Sequence, residues 1–261
     1  MSSASITDLI QTELREGILT VRINRPEKKN ALNLAMYQAL ADGLRYADSE
    51  DAVRVILLTG CEQCFTSGND LSDFIGAPQT GPESPGMLFL IAISEARKPI
   101  VAAVNGLAVG VGVTMLLHCD LVYAGRGATF QMPFVNLGLC PEAGSTLLLP
   151  RIMGHQRAAE LLLLGESFSA DKACSLGIVS EACPDGDVLA TARSRALQLA
   201  AQPAAAVRLA KNLLKRDYAA PLRETITEEG VQFMARLKSP EAAEALQAFM
   251  QRRKPDFSQF G

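Results

Sequence analysis

Histidine is almost absent from this chain: His118 and His155 are the only two in 261 residues. Neither lies in an HExxH pattern, and a lone histidine is more often a packed or capping residue than a catalyst. No GxxxxGK(S/T) loop is present to cradle phosphates, and no GxSxG turn to expose a nucleophilic serine. Gly110-Val111-Gly112 lacks the third glycine of a dinucleotide fingerprint, and no suitable acid follows ~20 residues on. Basic residues are not in excess: 25 Lys and Arg against 28 Asp and Glu give a net charge of −3, so a nucleic-acid footprint is not expected. The six cysteines, at 61, 64, 119, 140, 174 and 183, are scattered as free thiols of a reducing compartment would be. Cys61-Glu62-Gln63-Cys64 is a lone CxxC with no second pair or nearby histidine, so no metal site is expected. The first residues, MSSASITDLIQTEL, have neither a basic n-region nor an apolar h-region, and the terminal SQFG is not a peroxisomal tripeptide. Pro99 to Leu117 is apolar enough to imitate a membrane span, but Asn105, Gly106, Gly110 and Gly112 divide it and His118-Cys119-Asp120 closes it. A buried strand, a turn and a buried helix account for it better. The expectation is a soluble cytoplasmic protein.

What is present is an ordinary globular composition, 48% hydrophobic and 20% charged, in one large domain or one domain with an appended lobe. Ile18, Val21 and Ile23 alternate with polar partners after a turn at Arg15-Glu16-Gly17, which predicts a hairpin. Asn33 can cap a helix running to about Asp48, with Leu34, Tyr37, Leu40, Ala41 and Leu44 on one face. VRVILLTG (53–60), PIVAAVNG (99–106) and LVYAG (121–125) are continuously apolar strands, as expected when both faces of a sheet are covered. A weak recurrence of about 45 residues between the first two hints at stacked repeat turns. GAPQTGPESPG (76–86) predicts a loop, and the whole 75–95 segment reads as loop-rich. Beyond about residue 185 the pattern turns helical, over 188–201, 204–218, 222–237 and 241–253, with Ser239-Pro240-Glu241 a clear helix start. The chain therefore divides near 190 into an α/β core (1–190) and a helical region (191–261). Phe233, Met234, Leu237, Leu246, Phe249 and Met250 there serve either packing on the core or contact between subunits.

Two glycine-containing turns, FTSGNDLSDF (65–74) and NGLAVGVGVTMLL (105–117), each lead toward a predicted helix. Glycines at such places leave backbone N–H groups pointing outward, and two that converge would form an oxyanion hole without any side chain; ordinary strand-to-helix turns have the same pattern. In NLGLCPEAGS (136–145), Glu142 is a carboxylate in an apolar, glycine-spaced stretch. Pro141 at the first helical position with an acid in the first turn is one explanation, and chemistry is the other.

NRPEKKNALN, VRVILLTG, CFTSGNDLSDF, KPIVAAVNGLAVGVGVTMLLHCD, the P-E-A-G stretch and SADKACSLGIVSE occur in this order over at least residues 12–185. Together they resemble the enoyl-CoA hydratase/isomerase (crotonase) superfamily. The resemblance implies an α/β spiral of ββα turns with a C-terminal helical trimerisation region, hence a homotrimer or dimer of trimers. It also implies an acyl-CoA thioester substrate, with coenzyme A part of the substrate and no separate cofactor. The oxyanion donors it implies are the backbone N–H groups of Asn69 and Val111. Where hydratases of the superfamily carry two glutamates, this chain has Thr114 and Phe134, neither able to act as a base. SGNDL and PE-x-x-S are most similar to the peroxisomal-type Δ3,Δ2-enoyl-CoA isomerases, which implies that Glu142 is the catalytic base. Lys28, Lys29, Ala31 and Leu32 would lie along the coenzyme A, and Ser67, Gly68, Asp70, Leu71, Phe134 and Leu139 would line the acyl site. Phe134 and Leu139 are expected to desolvate Glu142 while a helix N-terminus opposes them, and the balance stays open. Residual hydration, thioester hydrolysis, decarboxylation and non-catalytic acyl-CoA binding are the alternatives on the same scaffold.

Overall fold

The computed structural model describes residues 8–70, 81 and 83–260. β1 (Ile10–Arg15) and β2 (Ile18–Ile23) form the expected antiparallel hairpin. Glu16 (φ 55°) and Gly17 (φ 75°) supply the two positive φ angles that a two-residue turn between twisted strands requires. From β2 onward the main sheet is parallel, with β3 (Val55–Thr59), β5 (Ile100–Val104), β7 (Leu121–Gly125) and β10 (Glu181–Cys183) in the order β1-β2-β3-β5-β7-β10. The second sheet holds β4 (Cys64–Thr66), β6 (Leu107–Val109), β8 (Thr129–Gln131) and β9 (Phe168–Ser169), parallel except for the last pair. Each circuit of the chain thus lays one strand in each sheet, as an ββα spiral demands. The recurrence in the sequence is the spacing between neighbouring strands, since Ile56 pairs with Ile100 and Leu57 with Val101.

Helices enclose both sheets: α1 (Leu34–Ser49), α2 (Pro85–Glu95), α3 (Val111–Thr114, continuing as a 3-10 turn over Met115–His118), α4 (Ser145–Met153), α5 (His155–Ala159) and α6 (Ala170–Ser175). The C-terminal region supplies α7 (Val188–Ala200), α8 (Ala204–Lys215), α9 (Ala219–Leu237) and α10 (Pro240–Met250). Ile56 and Leu58 of β3 face the main core with α1, whereas Val55 and Leu57 face Val188, Ala192 and Ala196 of α7. Both faces are covered, which is why these strands are apolar without alternation. Asn33 caps α1 by accepting from the Met36 N–H (2.9 Å), and Ser239 caps α10 by accepting from the Ala242 N–H (3.2 Å).

Two expectations need correction. Of the 75–95 segment expected to be loop-rich, residues 75–80 and 82 lie outside the described residues and 85–95 is helix: Ser84 accepts from the Met87 N–H, Pro85 takes the first helical position, and MLFLIAIS carries the helix to Glu95, with Phe89 and Ile93 fully buried. The apolar run from Pro99 contains a second strand, β6, between its turn and its helix; three residues are too few for periodicity to reveal. No helix among the described residues is long and apolar enough to cross a membrane.

The loop between β2 and α1 is fixed by Asn30, which is fully buried with φ 56°. Its Nδ2 donates to the carbonyls of Ile23 (3.1 Å), Cys64 (2.8 Å) and Phe65 (3.1 Å), and its Oδ1 accepts from the Arg25 N–H (2.7 Å). Asparagine suits the left-handed region, and its amide joins the two sheets here. Asn30→Ala is expected to lower stability by about 2–4 kcal/mol through the carbonyls it leaves unpaired. Urea unfolding at unchanged m-value measures this, and a loss below ~0.5 kcal/mol would mean that water replaces the amide.

Candidate active site

Helix α4 begins at Ser145 with Gly144 as its N-cap, so Pro141 is not at the first helical position and Glu142 is not in the first turn. Ala143 (φ 62°) and Gly144 (φ 71°) are both left-handed, and this pair postpones the helix. Alanine there costs about 1–2 kcal/mol, so the surroundings must hold it. One restraint is His118, wholly buried, whose Nε2 lies 2.8 Å from the Ala143 carbonyl. Burial and the charge of Lys215 push its pKa down to about 3. The ring is therefore neutral, and a carbonyl partner requires that Nε2 carry the proton. The sequence reading of His118 as a packed residue fits, with a specific hydrogen bond added.

The Glu142 carboxyl is 8% exposed, and Thr114 Oγ1 donates to its Oε1 at 2.5 Å. Burial raises its pKa to about 8; the Thr114 hydrogen bond opposes the rise, and the charge of Glu229 adds to it. Desolvation therefore prevails in the balance left open by the sequence. Phe134 and Leu139 are buried in the same core cluster, and Phe134 also lies beside Gly110. Thr114 stood out in the sequence only as a missing acid. Its place four residues after Gly110, on a buried turn, was the signal that its side chain points inward.

The two glycine turns come together. A side chain on Gly68 (φ 90°) would meet the Val109 carbonyl, and one on Gly112 would meet Thr66. Gly110 takes φ 56° and ψ −118°, so Val111 itself starts α3 in ordinary helical geometry and its β-branch is tolerated. Among the described residues neither the Asn69 nor the Val111 N–H is hydrogen-bonded, although Val111 is 1% exposed. A buried, unpaired donor is costly unless a ligand takes it. The side-chain Oδ1 of Asn69 accepts from the Tyr37 hydroxyl of α1.

The remaining expected site residues separate into two groups. Lys28 and Lys29 are exposed and Ala31 is half-buried, so all three can be reached from solvent. Leu32 is buried, with its N–H on the Gly68 carbonyl (2.8 Å) and its carbonyl on the Asp70 N–H (2.9 Å). The Ser67 N–H donates to the Lys29 carbonyl (3.0 Å), and Asp70 pairs with Arg25 at 2.7 Å. Ser67, Leu32 and Asp70 thus fasten the basic loop to the first turn. Leu71 lies outside the described residues.

A carboxyl raised to a pKa of about 8 and bonded to Thr114, on the same turn as the Val111 N–H, can move a proton next to a carbonyl whose oxygen that donor stabilises. Thr114→Val keeps the shape and removes the donor. Glu142 is then expected to titrate about one pH unit above the wild type, the value of one charge-assisted hydrogen bond. Carboxyl 13C NMR measures this, and an unchanged titration would leave burial alone in control.

Known proteins are similar to this chain along nearly its whole length. The enoyl-CoA hydratase/isomerase family model matches residues 13–260. The 1,2-epoxyphenylacetyl-CoA isomerase of Escherichia coli is 34% identical over 96% of this chain and 98% of its own length. The human enoyl-CoA delta isomerase 2 is 34% identical over 91% of this chain, which spans 62% of that longer protein. A solved structure of OdaA from Pseudomonas aeruginosa superposes with a TM-score of 0.92 at 50% identity, covering 94% of this chain and all of that one. Agreement in sequence and in backbone along nearly the whole length makes this chain a member of the enoyl-CoA hydratase/isomerase family, with the crotonase fold.

Proposed function

We propose that this acyl-CoA enzyme is a Δ3,Δ2-enoyl-CoA isomerase of fatty acid β-oxidation, with Glu142 as its base. The observation that supports this most is the isolation of Glu142: the two positions where hydratases keep water-holding glutamates are Thr114, which donates to Glu142, and buried Phe134. Glu229, the next carboxylate, has both oxygens engaged by Gly144 and Thr146. A dry site with one base suits proton relocation and not the addition of water.

In this reading ionised Glu142 takes the proton from the α-carbon of a 3-enoyl thioester. The electron pair moves to the thioester oxygen, giving a dienolate held by the Asn69 and Val111 N–H groups. Glu142 then delivers the same proton to the γ-carbon, and the double bond ends conjugated with the carbonyl. Each oxyanion donor contributes about 3 kcal/mol to such a step. The resemblance to human enoyl-CoA delta isomerase 2 supports the assignment. Lys28 and Lys29 would meet the phosphates of coenzyme A and Ala31 its adenine. No further cofactor is required by these steps, and the cytoplasm is the compartment we assign.

Wild type is expected to convert a trans-3-enoyl-CoA, with kcat/KM rising through an acid limb near pH 8 as Glu142 ionises. Glu142→Gln should lose at least about a thousandfold in kcat while still binding the ester. Hydration of a trans-2-enoyl-CoA by wild type, or retained turnover in the variant, would sink the assignment. If both proteins are inert yet bind the ester, hydrolysis, decarboxylation or a binding role takes its place.

We also propose a homotrimer, supported by apolar side chains on helix α8: Leu209, Leu213 and Leu214 are 58%, 53% and 78% exposed. Leu213→Glu with Leu214→Glu is expected to give monomers in sedimentation velocity, and an unchanged mass would exclude this face as the contact.

A further inference from the structure

Helix α9 presents Leu222, Ile226, Glu229 and Phe233 as one buried stripe at helical spacing. This stripe lies against the segment that carries Glu142. A side chain on Gly144 would run into the side chains of Leu222 and Ile226, and the φ of 71° at this position also favours glycine. Glu229 is 7% exposed. One of its oxygens accepts the Gly144 N–H at 2.6 Å; the other accepts the Thr146 N–H at 3.0 Å and the Thr146 hydroxyl at 2.5 Å. Gly144 has no side chain with which to cap α4, and Glu229, 85 residues later in the chain, supplies the missing acceptor. Burial raises the Glu229 pKa above the ordinary glutamate value, and the three donors that converge on its two oxygens oppose the rise by favouring the carboxylate. On the other side of the same peptide group, His118 grips the Ala143 carbonyl.

We infer that Glu229 is a positioning residue for Glu142: with His118 it grips both sides of the left-handed Ala143–Gly144 pair and so sets where the Glu142 carboxyl points. The inference rests on Glu142 being the base, as proposed above. The titratable groups that face Glu142 are few. Glu229 comes from α9 and Cys140, its thiol raised by burial, from its own segment; His118, neutral, reaches the neighbouring Ala143 carbonyl. Of these Glu229 alone brings charge, and that charge favours the protonated form of Glu142. Position and proton affinity of the base therefore share one source in the C-terminal region.

Glu229→Gln preserves shape and removes the charge and one acceptor. The expected result is a fall in kcat of about 10- to 100-fold with KM for the 3-enoyl ester unchanged, as for a misplaced base. The acid limb of kcat/KM, and the Glu142 titration followed by carboxyl 13C NMR, should both move to lower pH. A merely structural Glu229 would lower the melting temperature and leave kcat and the limb where they are, which would overturn the inference. If wild type fails to isomerise but the Glu142 titration still moves in the variant, the isomerase assignment falls and the coupling of the two glutamates stands. If Glu229→Gln does not fold, Thr146→Ala serves: it removes one donor at an exposed position, and kcat should fall severalfold at constant KM. Wild-type kcat in that variant would overturn the inference equally.

Discussion

Taking a carboxyl group out of water favours its proton by several kcal/mol, and this cost is the constraint around Glu142 on which the rest of the site depends. A single hydroxyl donor, Thr114, offsets only part of it. A second donor or a cation would pull the group back toward the ordinary carboxylate range, and in the role proposed for it that would make a weaker base. An entirely apolar wall would hold the proton too tightly to release. The site sits between these limits because burial is extensive, the donor is neutral, and the nearest other charge is negative.

The two-sheet spiral is the means of assembling this environment from distant parts of the chain. Three-residue strands β4, β6 and β8 are short, yet their parallel pairing sets the glycine turns after β4 and β6 side by side. The third strand leads to Phe134 and then to the left-handed pair behind Glu142. Repetition of a single unit thus brings the first two turns together, and Thr114 beyond the second of them bonds the carboxyl of Glu142. Asn30 repeats the same economy at the entrance, tying β2, β4 and the basic loop through one side chain.

Much of this was legible in the sequence, for physical reasons. Long apolar runs covered on both faces, a turn with paired positive φ, and capped helices such as those at Asn33 and Ser239 all leave local signatures. Glu142 stood out because a carboxylate among apolar residues is rare, and Gly68 and Gly110 because only glycine suits their backbone. What was hidden depends on distance or brevity. Helix α2 was masked by the Gly and Pro residues before it, and the three-residue strands are shorter than any period. The start of α4 shifted because Ala143 adopts a left-handed conformation that alanine does not advertise. Nothing local in the sequence marks Glu229; its contact with Gly144 exists only once α9 lies on α4, which no local pattern encodes.

Thr114 has a property that a stronger donor would lack. Its hydroxyl, wholly buried, can give a hydrogen to an ionised carboxylate and can equally receive one from a carboxylic acid by rotating about a single bond. The contact between residues 114 and 142 can therefore persist in both protonation states of the carboxyl, with its polarity reversed. An ammonium or amide N–H in that place could only donate, so the acid form would have to keep its unprotonated oxygen turned toward it. Rotation of one hydroxyl is enough for the pair to match either charge state of the carboxyl.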